Sequence, residues 1–259
     1  MIRLEHVAFS YPSSSTPVFN DLTLTVDRQS WVVITGPDGS GKTTLCRILK
    51  GLAQPTDGRI VYDDAITTDE IGYLGGDPYD SLVGVTVLED VVFGMENLRL
   101  SQSEMESRLQ MALEWTGLRG MERRLVHTLS GGEQQKLSLA GVLAMGCKAL
   151  IVDDALSMLD RAARTAIQDL INSLRRERGL TVIEAASSNF GRAADRIVFL
   201  SEGKIAWDSA PEAFFSNGPG MRWIGRMGGL ESFRLTLAAA VRDRELKFVE
   251  ELIGKIKSE

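Results

Sequence analysis

Polar and apolar residues alternate along residues 2–9 and 22–26, the period of strands with one buried face. Tyr11-Pro12 and a Ser/Thr/Pro-rich turn over 13–17 separate them. Trp31-Val32-Val33-Ile34 is unbroken apolar, as in a strand covered on both faces. Residues 44–50 take the helical period and Gly51 closes it. A Pro55-Thr56-Asp57-Gly58 turn leads to strands at 59–62 and 71–74, the second running into a flexible break, Gly75-Gly76-Asp77-Pro78. From Leu82 to about Met145 the pattern is helical. Within it Ser101 and Glu104 form a capping box, Met105, Leu109 and Leu113 share a face, and Gly117 ends the helix. Strands return at 149–152, 180–185, 196–200 and 205–207, with a helix at 161–178 and a hairpin turn, Ser201-Glu202-Gly203-Lys204, leading into the last strand. This order predicts an α/β core with a parallel sheet and an inserted helical subdomain over about 82–145.

The last stretch reads differently. Phe233, Leu237 and Val241 lie on one helical face, and Leu246, Val249, Leu252, Ile253 and Ile256 on another, after a hinge at 225–229. We therefore divide the chain into a domain over 1–220 and a helical tail over 221–259. Packing on its own domain is the default for such a tail; dimerisation or partner docking is the alternative.

Gly36-Pro37-Asp38-Gly39-Ser40-Gly41-Lys42-Thr43-Thr44 lies between the strand at 31–34 and the helix. Strand, glycine-rich loop and helix make G-x-x-x-x-G-K-[ST] a phosphate-binding loop. The glycines let backbone N–H groups face an anion, and the helix N-terminus adds partial positive charge. Lys42 reaches toward β- and γ-phosphates, and the Thr43 hydroxyl suits Mg²⁺. A carboxylate at the end of the buried strand, Asp153, stands where a Mg²⁺-binding acid belongs. Tyr11 is either a packed aromatic or a plate for adenine, the latter worth ~1–3 kcal/mol by analogy with base stacking. These residues point to a nucleoside triphosphate.

Leu129-Ser130-Gly131-Gly132-Glu133-Gln134 forms a second anion site. Ser130 caps the following helix with Glu133 at the capping-box position, and the two glycines leave the first N–H groups clear. One nucleotide has no use for two such sites this far apart in one chain. A second chain arranged head to tail gives the second site its anion.

Composition narrows the field. A formal charge of −6 excludes a general nucleic-acid binder. No apolar run reaches the ~18 residues that cross a bilayer, and Met1 to His6 lack the apolar core of a secretory signal. Cys46 and Cys147, the two cysteines, read as packed thiols.

In order, 36–44, 129–134 and 149–154 resemble the Walker A, signature and Walker B motifs of ABC-transporter ATP-binding subunits. Ser157-Met158-Leu159-Asp160 resembles the D-loop, and Tyr11 falls at the adenine-stacking position. The resemblance covers about 1–215. Asp77-Pro78-x-Asp80, 86–94 and 140–144 resemble energy-coupling-factor importers. It implies a P-loop NTPase core with an N-terminal antiparallel β subdomain, ATP and Mg²⁺ as cofactors, and Thr43 and Asp153 as metal ligands. Its implied partners are a second ATPase chain and a transmembrane subunit, and its implied place is the cytoplasmic face of the membrane. Residues 79–93 would dock on the membrane subunit, with Asp80, Glu89 and Asp90 receiving basic groups.

Three catalytic positions depart from the family. Gly76 stands where it has glutamine, Asp154 where it has the catalytic glutamate, and Ser187 where it has a γ-phosphate-sensing histidine. The chain's two histidines, His6 and His127, both precede the Walker B segment. Asp38 replaces a common asparagine. Glu to Asp retracts a carboxylate by ~1.5 Å, and a ~1 Å misplacement costs ~10²-fold. The expectation is an ATP site with slow hydrolysis and a signature serving a partner's site; Glu184 is a candidate to compensate, with strand packing or a surface salt bridge the favoured reading for it. The alternatives are an active symmetric homodimer and a non-transport, nucleotide-switched regulator.

Overall fold

The computed structural model describes residues 1–63, 66–98, 100–157, 159–187 and 193–216. The tail at 221–259 and its hinge lie outside them, as does Met158 of the D-loop.

Nine strands form two sheets among these residues. The first is antiparallel, in the order β2-β1-β4, from β1 (Ile2–Phe9), β2 (Phe19–Val26) and β4 (Asp57–Tyr62). The second has the order β5-β6-β7-β3-β8-β9. It holds β3 (Trp31–Thr35), β5 (Ile71–Leu74), β6 (Ala149–Asp153), β7 (Thr181–Ala185), β8 (Arg196–Ser201) and β9 (Lys204–Ser209). Five of these strands are parallel, as expected from their continuous apolar runs. The edge strand β9 follows the hairpin turn read at 201–204. Its tight turn from β8 leaves no room for a crossover, so it pairs antiparallel.

β1 and β4 approach closely where Gly58 lies. Its φ is +75°, and a Cβ there would meet the His6 carbonyl oxygen at 2.2 Å, so only glycine fits.

Alternation along the strands builds a core on each face of the large sheet. Val32, Ile34, Ile151, Ile183 and Val198 face helix α1 (Lys42–Lys50) and the small sheet. Trp31, Val33, Val152, Val182 and Ile197 face the opposite way. There they meet helix α5 (Arg161–Arg178) and a six-residue helix, α6 (Pro211–Ser216), which lacked a readable period. Phe214 and Phe215 anchor it, both fully buried, each contributing about 1.5–3 kcal/mol.

The inserted block has its own core. Helices α2 (Val87–Asn97), α3 (Gln102–Thr116) and α4 (Gly131–Ala144) bury Val87, Val91, Leu113, Leu137 and Ala140 together. Each starts at a capping box, Thr86/Glu89, Ser101/Glu104 and Ser130/Glu133. Gly75 to Pro78 is more ordered than the expected flexible break. Asp77 caps a helical turn, its carboxylate accepting from the Tyr79 N–H at 2.9 Å. Among the described residues, no helix is long and apolar enough to cross a membrane.

Candidate functional site

The loop after β3 leaves the sheet at the carboxyl ends of its strands, where open α/β sheets bind ligands. Gly36 turns it tightly: at φ +147° a Cβ would strike the Leu200 carbonyl oxygen at 2.1 Å. The loop ends at Gly41, φ +102°, and α1 begins at Lys42. A cleft of about 400 Å³ opens here. Tyr11, Asp38, Gly39, Gly41, Lys42, Thr43, Thr44, Asp153, Asp154 and Ser187 all line it, so strands far apart in sequence converge on one place. Ser40 lies beneath, its buried hydroxyl without a hydrogen-bond partner among the described residues.

Among the described residues, Lys42 is the one cation lining the cleft. Its Nζ donates to the Gly36 and Pro37 carbonyls at 2.8 and 3.0 Å. Burial pulls the ammonium below its ordinary pKa, against the attraction of Asp38, Asp154 and Asp153. An anion entering the cleft would relieve that burial cost.

Thr43 Oγ1 donates to Asp153 Oδ1 at 3.1 Å. A hydroxyl and a carboxylate side by side are hard oxygen donors, which Mg²⁺ combines with nucleotide phosphates. No cluster of three or more His, Cys, Asp or Glu side chains could hold a metal unaided among the described residues. The donor set therefore fits a cation that arrives with its nucleotide.

Sequence reading missed Tyr73 on β5. Its hydroxyl donates to Asp153 Oδ2 at 2.5 Å. Burial, then the bond to Asp153, hold the phenol well above its ordinary pKa, so it stays a donor. Tyr11 packs edge-on against Phe9 and its hydroxyl bonds to Thr44 Oγ1 at 3.0 Å. The ring is thus packed and also lines the cleft.

Gly76, Asp154 and Ser187, the positions expected to depart from the family, sit differently. Ser187 Oγ makes a long bond, 3.4 Å, to Asp38 Oδ1 across the cleft. Asp154 follows β6 at φ +53°, a left-handed conformation that aspartate tolerates better than most residues. Burial, then the charge of Asp153, raise its pKa, and Lys42 opposes them. Gly76 lies on a second cleft, of about 830 Å³. A Cβ on Gly76 would make only ordinary contacts, 3.6 Å from the Asp153 carbonyl oxygen, so the backbone does not demand glycine here.

Asp154 also lines that second cleft, with Gly131, Gly132, Ser157, Leu159 and Asp160. The signature helix α4 opens onto it. Ser130 Oγ accepts from the Glu133 N–H, and the Glu133 carboxylate accepts from the Ser130 N–H at 2.7 Å. Arg124 pairs with Glu133 from outside at 3.2 Å. A Cβ added at Gly131 would meet nothing within 4 Å. Opposite, Asp160 caps α5, and Arg164 donates to the carbonyls of Leu156 and Leu159 at 3.0 and 2.8 Å. Arg164 was missed too; an arginine four residues past an N-cap is the signal that could have found it.

One expectation is met and one corrected. Glu184 sits on the sheet face away from α1, 2% exposed, accepting from the Trp31 indole at 2.9 Å. It packs the core and does not reach the cleft. Asp90 is 8% exposed and accepts from the Val83 and Gly84 N–H groups at 2.8 and 2.9 Å. Its charge orders that loop and is withheld from a partner's basic groups. The surrounding surface is instead apolar, with Tyr79, Val83, Val85 and Phe93 each at least half exposed.

Comparison with known proteins agrees with this geometry. A family model described as ABC transporter matches residues 19–157. The energy-coupling factor transporter ATP-binding protein EcfA1 of Levilactobacillus brevis is 34% identical over 253 residues, covering 94% of this chain and 90% of that protein. EcfA of Syntrophomonas wolfei is also 34% identical, over 87% of this chain and 86% of its own length. Among solved structures, cbiO1 from Clostridium perfringens, part of the ABC transporter complex cbiONQ, superposes with a TM-score of 0.76 at 26% identity, covering 93% of this chain and 98% of that one. A dimeric bacterial ABC transporter cassette, MJ0796, superposes at 0.71 with 26% identity, over 81% of this chain and 98% of its own. The chain belongs to the ABC transporter ATPase family, within which EcfA1 and EcfA are energy-coupling factor transporter ATP-binding proteins.

Proposed function

We propose that this chain is the ATP-binding subunit of an energy-coupling-factor importer, and that it works as one half of an unequal ATPase pair. Its loop holds Mg-ATP through Lys42, Thr43 and Asp153, with Tyr11 on the adenine and slow hydrolysis at Asp154. Its signature, Ser130 to Glu133, completes the partner's hydrolytic site. The observation that carries this reading is the separation of the two anion-binding helix starts. The start of α1 lines one cleft and that of α4 lines another. Gly131 and Gly132 meet no tight neighbour in their own chain, so their bareness serves a molecule from outside.

The degeneracy is selective. Of the three positions that depart from the family, Ser187 lines the loop cleft and Asp154 lines both clefts, while Gly76 lies on the second and is assigned to the chain's own nucleotide by the resemblance alone. Ser130, Gly131, Gly132 and Glu133, which match the family, belong to the partner's. Phosphoryl transfer is mostly positioning and electrostatics, so the loss of three such groups slows the chemistry while leaving phosphate binding intact.

Restoring the groups tests the slow site. Gly76→Gln, Asp154→Glu and Ser187→His together are expected to raise ATP turnover by the isolated chain at least ~10²-fold. Asp154→Glu alone is expected to fail, because two other groups are still absent and glutamate favours the left-handed φ of this position less. Phosphate release measures both. Brisk hydrolysis by the unmodified chain, abolished by Asp154→Asn, supports the active homodimer instead.

The docking face follows from the family and from the exposed apolar residues at 79–93. Cysteines at Tyr79, Val83 or Phe93 are expected to cross-link to a membrane subunit in the purified complex. Cross-links confined to a second ATPase chain contradict this placement. Co-purification of a membrane protein with the tagged chain also separates a transporter subunit from a soluble regulator.

A further inference from the structure

Asp153 stands at the end of β6, 6% exposed, with one hydroxyl on each oxygen. Thr43 serves Oδ1 at 3.1 Å, and Tyr73 serves Oδ2 at 2.5 Å. The outer torsion of an aspartate is broad, so its own rotamer does not fix the plane of the carboxylate. One partner leaves it free to turn about that contact; two define the plane.

Tyr73 is well built for the second role. Its backbone pairs with Ile151 in the neighbouring strand, which ties it to the strand that carries Asp153. Its ring packs against the α1-side core, so the hydroxyl is delivered on a rigid arm. Arg47 of α1 interacts with both the Tyr73 and the Tyr11 hydroxyls. From β5 and the turn after it, Gly76 brings no side chain. The short O–H···O⁻ distance is that of a charge-assisted bond, about twice as strong as a neutral one.

We propose that Tyr73 is a positioning residue whose hydroxyl sets the divalent-cation affinity of the nucleotide-bound site by fixing the Asp153 carboxylate beside Thr43. The inference rests on the ATP-binding reading above. It gives the site a second partner of the kind that metal ligands require, one that orients the ligand without touching the metal.

Tyr73→Phe keeps the ring and removes the hydroxyl. The full-length variant and the wild type would be titrated with Mn²⁺ in the presence of ATP, reading bound metal directly by electron paramagnetic resonance. ATP binding in EDTA would be measured beside it. The half-saturating Mn²⁺ concentration is expected to rise about 10-fold, at the lower end for a lost outer partner, with metal-free ATP affinity unchanged. A shift below about twofold overturns the inference, since the hydroxyl then does nothing that other outer partners do. So does an equal loss of ATP affinity in EDTA, which places Tyr73 in the shape of the loop instead. A wild-type chain that binds no ATP in either condition overturns the ATP-binding reading, and this inference with it.

Discussion

Lys42→Ala is expected to abolish ATP binding by this chain. Lys42 is the one cation among the described residues lining the loop cleft, and its side chain is 12% exposed. Three carboxylates, Asp38, Asp153 and Asp154, draw on its charge. Removing the ammonium leaves those three facing a triphosphate. Truncating one partner of a buried, hydrogen-bonded charge pair costs ~2–5 kcal/mol or more, and here uncompensated repulsion adds to the loss. Tyr11→Ala removes only a stacking face and is expected to cost ~1–3 kcal/mol. Isothermal titration with Mg-ATP measures both. Unchanged affinity in Lys42→Ala contradicts the ATP-binding reading at its root.

The parts of this site that were legible in the sequence are those fixed by local backbone chemistry. Gly36 and Gly41 need positive φ, and Ser130 with Glu133 caps a helix within four residues. Such requirements are written in neighbouring letters. The buried strand 149–152 was legible for a similar reason, since a strand covered on both faces must be apolar throughout.

What was not legible depends on contacts across the fold. Tyr73 reaches Asp153 only because β5 lies beside β6, and nothing near Tyr73 in sequence announces that pairing. Glu184 shares a strand face with Val182, but which face meets α1 is decided by the topology of the whole sheet. Asp90 looked like a surface acid on a helix start; its role became visible only when the chain at 83–84 folded back onto it. The short α6 was set by tertiary packing, which overrides weak local pattern.

The central claim is the division of labour between the two clefts, and two substitutions separate them. Ser130→Arg places a long cation over the start of α4, where the partner's γ-phosphate would lie. It also gives up a capping hydroxyl at a cost of ~0.5–2 kcal/mol, so intact assembly is checked by size-exclusion chromatography. Its effect on catalysis is expected to match the loss of a transition-state donor or more, ~10²–10³-fold. Asp154→Asn changes a site that already turns over slowly, so the rate of the whole complex should hardly move. The measurement is steady-state phosphate release from the purified complex, with each substitution made singly in this chain. Hydrolysis stopped by Ser130→Arg and spared by Asp154→Asn is the result predicted here; equal loss from both would contradict it.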